Sequence, residues 1–184
     1  MMSNLFKSFF QRIAPNPRIY NFIQKIARVN HIQKRLKGCV NLIPYDATIF
    51  DICGYIDPQK LYGYRNVCPS RNALFVNGTI LALGDQSVDC VLYTLVTHHL
   101  AINQLQQMIE ESHRILKPKG IFLLLDAVWN PQNTLGRLLW NYDPGSYPRS
   151  FYEIEYAIGN KFHEVTSERV SVIRQYALFV TSKK

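Results

Sequence analysis

Histidine and aspartate side chains follow the most apolar runs of this 184-residue chain. His98 and His99 come just after residues 89–96, and Asp126 comes directly after residues 121–125. A histidine can accept or donate a proton near neutral pH, and a carboxylate can orient it or act as a base itself. We therefore take these three residues as the candidate catalytic groups. Packed, hydrogen-bonded histidines and aspartates also occur at such positions for structural reasons, and that alternative stays open.

Short apolar runs separated by turn residues predict the elements that must position these groups. Residues 89–96 and 121–125 are apolar almost throughout, which is typical of strands buried on both faces. Apolar residues at helical spacing predict a helix from Ile102 to Leu116, which Pro118 and Gly120 end. Further strands are predicted at residues 48–53, 60–64 and 73–76, and at 164–171 and 175–181 as a closing antiparallel pair. The pattern predicts an α/β fold whose sheet is mainly parallel.

The carboxyl ends of parallel strands meet at one edge of a sheet, and ligands of such folds bind outside that edge. The predicted strand ends are residues 51–54, 64–66, 77–80, 93–99 and 126–129. A site would therefore be built from these five stretches. The later stretch carrying Trp129, Trp140, Tyr142, Tyr147 and Tyr152 is expected to be rich in loops, and its aromatic rings would line an apolar pocket or an interface.

The excess positive charge lies at the beginning of the chain. The formal net charge is +8, and every Lys and Arg of this excess precedes the first acidic residue, Asp46. Apolar residues at helical spacing predict two short amphipathic helices, separated by Pro15 and Pro17. We expect a basic helical N-terminal arm over residues 1–45 and a single α/β domain over 46–184. The arm can cap the domain, contact an anionic membrane surface or dock on a partner, whereas the lack of an aromatic–glycine motif disfavours nucleic acid.

Hydropathy and cysteine spacing indicate a cytoplasmic protein. The longest strongly apolar run is far shorter than the ~20 residues that cross a bilayer, and no signal peptide is recognised. The four cysteines, Cys39, Cys53, Cys68 and Cys90, form no C-x-x-C pair. We therefore expect reduced thiols and no metal site.

Four segments of the sequence carry a family resemblance. The sequence SVDCVLYTLVTHHL at residues 87–100, followed by ESHRILKPKG at 111–120 and a buried strand, resembles the central part of class I S-adenosylmethionine (SAM)-dependent methyltransferases of the type 11 group. NPRIYNFIQ at residues 16–24 is similar to the helical arm of that group, and LLWNYDPGSYPR at 138–149 resembles a loop that pairs D-x-G with an arginine. The resemblance implies a single Rossmann-like domain, with a mainly parallel sheet, an antiparallel C-terminal strand and an N-terminal helical arm. In that loop, Asp143 and Arg149 would either hold a lid over the substrate or form an ordinary ion pair within the loop.

The resemblance also implies a site for SAM, but the residues that would hold it depart from the family pattern. The glycine-rich motif D-x-G-C-G-x-G reads DICGYID at residues 51–57, with one glycine to let backbone amides approach a ligand. The acid that takes the ribose hydroxyls is replaced by Tyr64, Arg65 and Asn66, and the adenine-contacting G-D-A becomes NGT at 77–79. The residues that would contact the cofactor are Asp51, Cys53, Gly54, Arg65, Asn66, Thr79 and Tyr93.

Two functions follow from this combination. The chain is either a methyltransferase for a small hydrophobic metabolite, active alone or with a partner subunit, or an inactive methyltransferase scaffold that binds or regulates an active homologue. Either function is compatible with a homo-oligomer or with a hetero-oligomer that contains a methyltransferase homologue. Fold resemblance favours the first function, and the altered cofactor anchors favour the second.

The replaced ribose acid gives the first prediction. Arg65→Asp should tighten SAM binding measured by calorimetry, because it restores a carboxylate at the end of the predicted second strand, where the family places the ribose hydroxyls. Unchanged affinity in the variant would mean that the missing acid is not the main defect.

Overall fold

The computed structural model describes residues 35–36, 38–39, 43–44, 46–52, 67–69, 83–141, 143, 147–162, 165–171 and 174–183. The two predicted helices of the basic arm lie outside these residues, as do the strands predicted at 60–64 and 73–76. None of the helices in the described ranges is long and apolar enough to span a membrane. Cys39 and Cys90, whose side chains are described, are free thiols.

A six-stranded mixed sheet forms the centre of the molecule. Its strands are β1 (Ile49–Ile52), β2 (Val67–Pro69), β3 (Val88–Thr94), β4 (Leu116–Val128), β5 (Val165–Ser171) and β6 (Gln175–Ser182), in the spatial order β2-β1-β3-β4-β6-β5. The first four strands are parallel, β6 is antiparallel to β4, and β5 is antiparallel to β6. The predicted mainly parallel sheet with an antiparallel C-terminal pair is confirmed.

Three helices with described bounds and a short 3-10 turn lie around the sheet, and residues 35–36 and 38–39 are also helical. They are the 3-10 turn Thr97–His99, α1 (Ile102–Ile115), α2 (Thr134–Trp140) and α3 (Phe151–Gly159). The stretch after β4, expected to be rich in loops, contains α2 and the beginning of α3, whereas its other described residues, 129–133, 141, 143 and 147–150, lie outside helices. A sequence signal for α3 was present: the Ser150 hydroxyl accepts a hydrogen bond from the amide of Glu153, whose carboxylate accepts one from the amide of Ser150.

Both faces of the sheet are covered, which explains why its central strands are apolar without alternation. On one face, Tyr93, Phe122 and Leu124 pack with buried residues of α1 and α3. On the other face, the core includes Leu36, Ile43, Ala47, Ile49, Leu92, Leu123, Leu125 and Trp140. Leu36 and Ile43 belong to the stretch assigned to the arm, so the described end of that stretch packs against the sheet.

The connection from α1 to β4 is shorter than the sequence predicts. The helix ends at Ile115, and Leu116 already begins the strand, ahead of Pro118 and Gly120. The pairing of β4 with β3 shifts register between Val88 and Cys90, and Lys119 has a positive φ of 63°. Regular pairing then runs from Ile121 onward, which matches the predicted run 121–125.

Gly120 should not tolerate a side chain, whereas Gly159 should. A Cβ on Gly120 would lie 2.8 Å from the carbonyl oxygen of Lys117 and 3.2 Å from that of Asp89, but a Cβ on Gly159 would have no atom within 4 Å. Gly120→Ala should lower the free energy of unfolding by about 1–3 kcal/mol through overpacking. Gly159→Ala should leave it unchanged or raise it by up to about 1 kcal/mol. Urea unfolding measures both, and equal effects would contradict the stated packing.

Candidate active site at the carboxyl edge of the sheet

The path of the chain after β3 brings the predicted catalytic residues together. Leu95 takes a left-handed conformation, with φ of 59°, and its amide donates to the carbonyl of Leu125 at 2.8 Å. This conformation is uncommon for a residue with a branched side chain and is often found near functional sites. The turn after it places His98 directly beside Asp126, which lies near the end of β4.

Asp126 is fully buried and accepts hydrogen bonds with both carboxylate oxygens. Oδ2 accepts from the amide of Thr97 at 2.5 Å, from the Thr97 hydroxyl and from the amide of His98 at 3.3 Å. Oδ1 accepts from the amide of Ala127 at 2.6 Å and contacts His98 Nδ1 at 2.6 Å. Burial would raise the pKa of this carboxyl, but His98 and the other donors lower it below its usual value. Asp126 is therefore an ionised, fully bonded carboxylate that positions its neighbours.

His98 is held by carboxylates on both sides of its ring. Because ionised Asp126 can only accept, the ring carries a proton on Nδ1, and Nε2 becomes the atom that binds or releases a second proton. Nε2 lies 3.5 Å from Asp143 Oδ1. Burial would lower the pKa of His98, but the charge and hydrogen bond of Asp126, with a smaller effect of Asp143, raise it above its usual value.

Arg174 completes a buried group of charges that the sequence analysis missed. Its Nη1 lies 2.5 Å from Asp143 Oδ2, and its guanidinium lies 4.5 Å from the centre of the Trp140 ring. The Trp140 ring also meets His98 edge-on, with centroids 5.7 Å apart. Nothing in the sequence around Arg174 marks it as a site residue, since it follows β5 in the turn before β6.

Arg149 has a different role from the one the family loop suggests. It donates to the carbonyl oxygen of Thr97 at 2.5 Å and to that of Leu100, so it holds both ends of the 3-10 turn. Asp143, expected to pair with it over the substrate, instead forms its ion pair with Arg174. The buried Arg149 therefore fixes the backbone on which His98 lies.

His99 is the exposed member of the group. Its ring stacks obliquely on His98, with centroids 4.1 Å apart. Partial burial and the neighbouring His98 lower its pKa. One ring nitrogen of His99, one of His98 and a carboxylate oxygen of Asp143 all lie within 4.8 Å of one another.

Of the predicted cofactor residues, the structure describes the side chains of two. Asp51 is buried at the carboxyl end of β1, paired in register with Leu92 of β3. Tyr93 is 1% exposed, and its hydroxyl lies 2.9 Å from that of Ser112 on α1, away from the His98 group. Cys53, Gly54, Arg65, Asn66 and Thr79 lie outside the described residues, so their role stays a prediction.

Comparisons with known proteins agree with this fold. The family model described as a methyltransferase domain matches residues 56–124. A SAM-dependent methyltransferase from Archaeoglobus fulgidus has a TM-score of 0.63 at 15% identity, covering 89% of this chain and 99% of that one. A structure of the Haloferax volcanii Trm112 methyltransferase activator in complex with a methyltransferase has a TM-score of 0.64 at 17% identity, covering 94% of this chain and 96% of that one. A geranyl diphosphate methyltransferase in complex with SAM has a TM-score of 0.61 at 13% identity, covering 83% of this chain and 84% of that one.

The chain therefore has the fold of class I SAM-dependent methyltransferases, and the resemblance seen in its sequence is confirmed. No protein of curated function matches it.

The hold of Arg149 on the turn gives a stability prediction. Arg149→Lys should lower the free energy of unfolding by about 1–3 kcal/mol, because one ammonium cannot replace the forked pair of bonds and a buried carbonyl loses its donor. Arg137→Lys is the matched control: its exposed guanidinium donates only a long bond of 3.4 Å, to Pro131 O, so the change should stay within about 0.5 kcal/mol. Thermal and urea unfolding measure both variants, and equal losses of stability would contradict this role of Arg149.

Proposed function

We propose that this protein transfers a methyl group from SAM to a small hydrophobic metabolite. The observation that carries the proposal is the buried Asp126–His98 pair at the carboxyl edge of β3 and β4, where ligands of such sheets bind. A fully buried carboxylate costs free energy unless its donors are in place, so a pair of this kind is often found where a histidine must be held in one orientation.

SAM would lie across the carboxyl ends of β1 and β3. Asp51 and the turn after it are the first anchors, as the family resemblance implies, and Cys53, Gly54, Arg65, Asn66 and Thr79 are the further candidates, whereas the Tyr93 side chain is buried against α1. Asp51 supports this position, because it is a buried carboxylate at the carboxyl end of β1, the edge at which ligands of such sheets bind.

The acceptor would approach His98 from the side of Nε2. Methyl transfer consists mostly of holding the nucleophile in line with the sulfonium methyl group. The acceptor–methyl bond forms as the sulfur–methyl bond breaks, S-adenosylhomocysteine leaves, and the acceptor's proton goes to a base. His98 is the proposed proton acceptor, Asp126 positions it, and the exposed His99 is the neighbouring group that can contact the substrate.

Aromatic side chains near this edge support a hydrophobic substrate. Trp140 packs on His98, Trp129 lies 6.4 Å from Trp140 between ring centres, and the amide of Tyr147 donates to the carbonyl of His98 at 3.1 Å. Pockets lined by aromatic rings with a few polar groups are typical of sites for small apolar ligands.

A partner subunit is part of the proposal, because the glycine turn for SAM is reduced. The Haloferax volcanii structure, whose methyltransferase is in complex with an activator, supports a partner that completes binding. The alternative is an inactive scaffold that serves as a binding or regulatory subunit, with the altered motif DICGYID as the feature in its favour.

Calorimetric titration separates these functions. The isolated chain is titrated with SAM and with S-adenosylhomocysteine, and again after a homologous methyltransferase is added. Micromolar binding by the chain alone would rule out a scaffold that has lost the cofactor, and binding in the mixture beyond that of the homologue alone would support the dependence on a partner. Lack of binding in both would overturn the proposed activity.

His98→Gln tests the assigned role. The variant should bind S-adenosylhomocysteine like the wild type, but its release of S-adenosylhomocysteine from SAM with small hydrophobic alcohols, phenols or amines should fall by about 10²–10⁴-fold. His113→Gln on α1 is the matched control and should retain turnover. Full activity of His98→Gln would contradict the assignment.

A further inference from the structure

We propose that His98, His99 and Asp143 form a binding site for a divalent transition-metal ion, with Zn²⁺ as the best fit. Each residue offers one ligand atom, and these atoms lie within 4.8 Å of one another. The distance from His98 Nε2 to Asp143 Oδ1 is 3.5 Å. Two ligands of a tetrahedral ion with bonds of ~2.1 Å are separated by about 3.4 Å, so this pair already has the required spacing. His99 is exposed, and its ring can turn to close the third distance.

The surroundings of His98 are those of a metal-ligating histidine. Such histidines nearly always donate their second ring N–H to a carboxylate, which fixes the tautomer and aims the free nitrogen at the ion. Asp126 Oδ1 takes this part, at 2.6 Å from Nδ1. Because Asp126 is itself held by the turn and by Ala127, the Nε2 lone pair is fixed in direction before any ion binds.

Asp143 is oriented in the same way. Arg174 Nη1 lies 2.5 Å from its Oδ2, and its Oδ1 lies 3.5 Å from His98 Nε2. The amide of Asp143 donates to the carbonyl of Trp140 at 3.2 Å, so the residue is also fixed at the end of α2. Carboxylates that ligate metals are commonly hydrogen-bonded on their second oxygen.

The donor set selects the kind of ion. Two imidazoles and one carboxylate suit Zn²⁺, Co²⁺ or Fe²⁺, whereas Mg²⁺ and Ca²⁺ prefer oxygen ligands. Three protein ligands leave at least one position for water or for an oxygen of a substrate. The ion would bind the same Nε2 lone pair of His98 that is proposed above to accept the proton. In a chain loaded with the ion, the methyl acceptor would therefore contact the ion instead of Nε2. Metal binding itself does not depend on SAM binding or on methyl transfer.

The test measures metal binding in the absence of SAM. The full chain is dialysed against EDTA and titrated calorimetrically with Zn²⁺, and Co²⁺ is added separately while its visible d–d absorption is recorded. We expect saturation at one ion per chain and a Co²⁺ spectrum typical of mixed nitrogen and oxygen ligands. Weak binding to several sites, or no saturation, would overturn the proposal.

His99→Gln is the decisive variant, because this side chain is exposed and its loss should leave the metal-free melting temperature unchanged. It removes a ligand, so the affinity for Zn²⁺ should fall by more than ~10-fold. Asp126→Asn is a second test: it should lower the affinity for Zn²⁺ by ~10–100-fold, because His98 is no longer held in one orientation. His113→Gln should bind Zn²⁺ like the wild type. Equal affinities of His99→Gln and His113→Gln would place the ion elsewhere and overturn the site.

Discussion

A carboxylate without solvent contact at the carboxyl edge of the sheet is the constraint on which the local structure depends. Asp126 lies near the end of β4 among buried apolar residues, where an unpaired charge would cost several kcal/mol. Its oxygens are satisfied by backbone amides of the turn after β3, by Thr97 and by His98. These hydrogen bonds hold the turn in place, and Leu95 takes its left-handed conformation at the start of it.

The second half of the site follows from the direction of β6. Because β6 runs antiparallel to β4, its first residue, Gln175, lies opposite Val128. The residue before it, Arg174, is thereby brought to the same edge as Asp126. A parallel strand would have placed its beginning at the other edge of the sheet. The antiparallel C-terminal pair thus supplies the cation that holds Asp143 beside His98.

The residues of this site that follow the ends of strands could be predicted from the sequence. His98, His99 and Asp126 follow apolar runs, and the sheet edge had to bring them near one another. Arg174 could not be found in this way, since its contact with Asp143 is set by a pairing register that no local pattern encodes. The helices α2 and α3 were not predicted. Three of the nine residues of α3 are aromatic and α2 contains Gly136, and both residue types lower helix propensity. The Ser150–Glu153 capping box was the readable signal.

The two ends of the candidate site differ in how far their chemistry is retained. At β1, the motif DICGYID has one glycine in place of several, which weakens the case for a tight turn around a cofactor. At β3 and β4, by contrast, His98 is bonded on one ring nitrogen and faced by a second carboxylate on the other. Replacing buried ionic groups by apolar residues is often neutral or stabilising, so stability alone does not account for two buried acids, a histidine and a buried arginine at this edge. This charged group is therefore the part of the edge that we propose would bind something polar, whether an acceptor, an ion or both in turn.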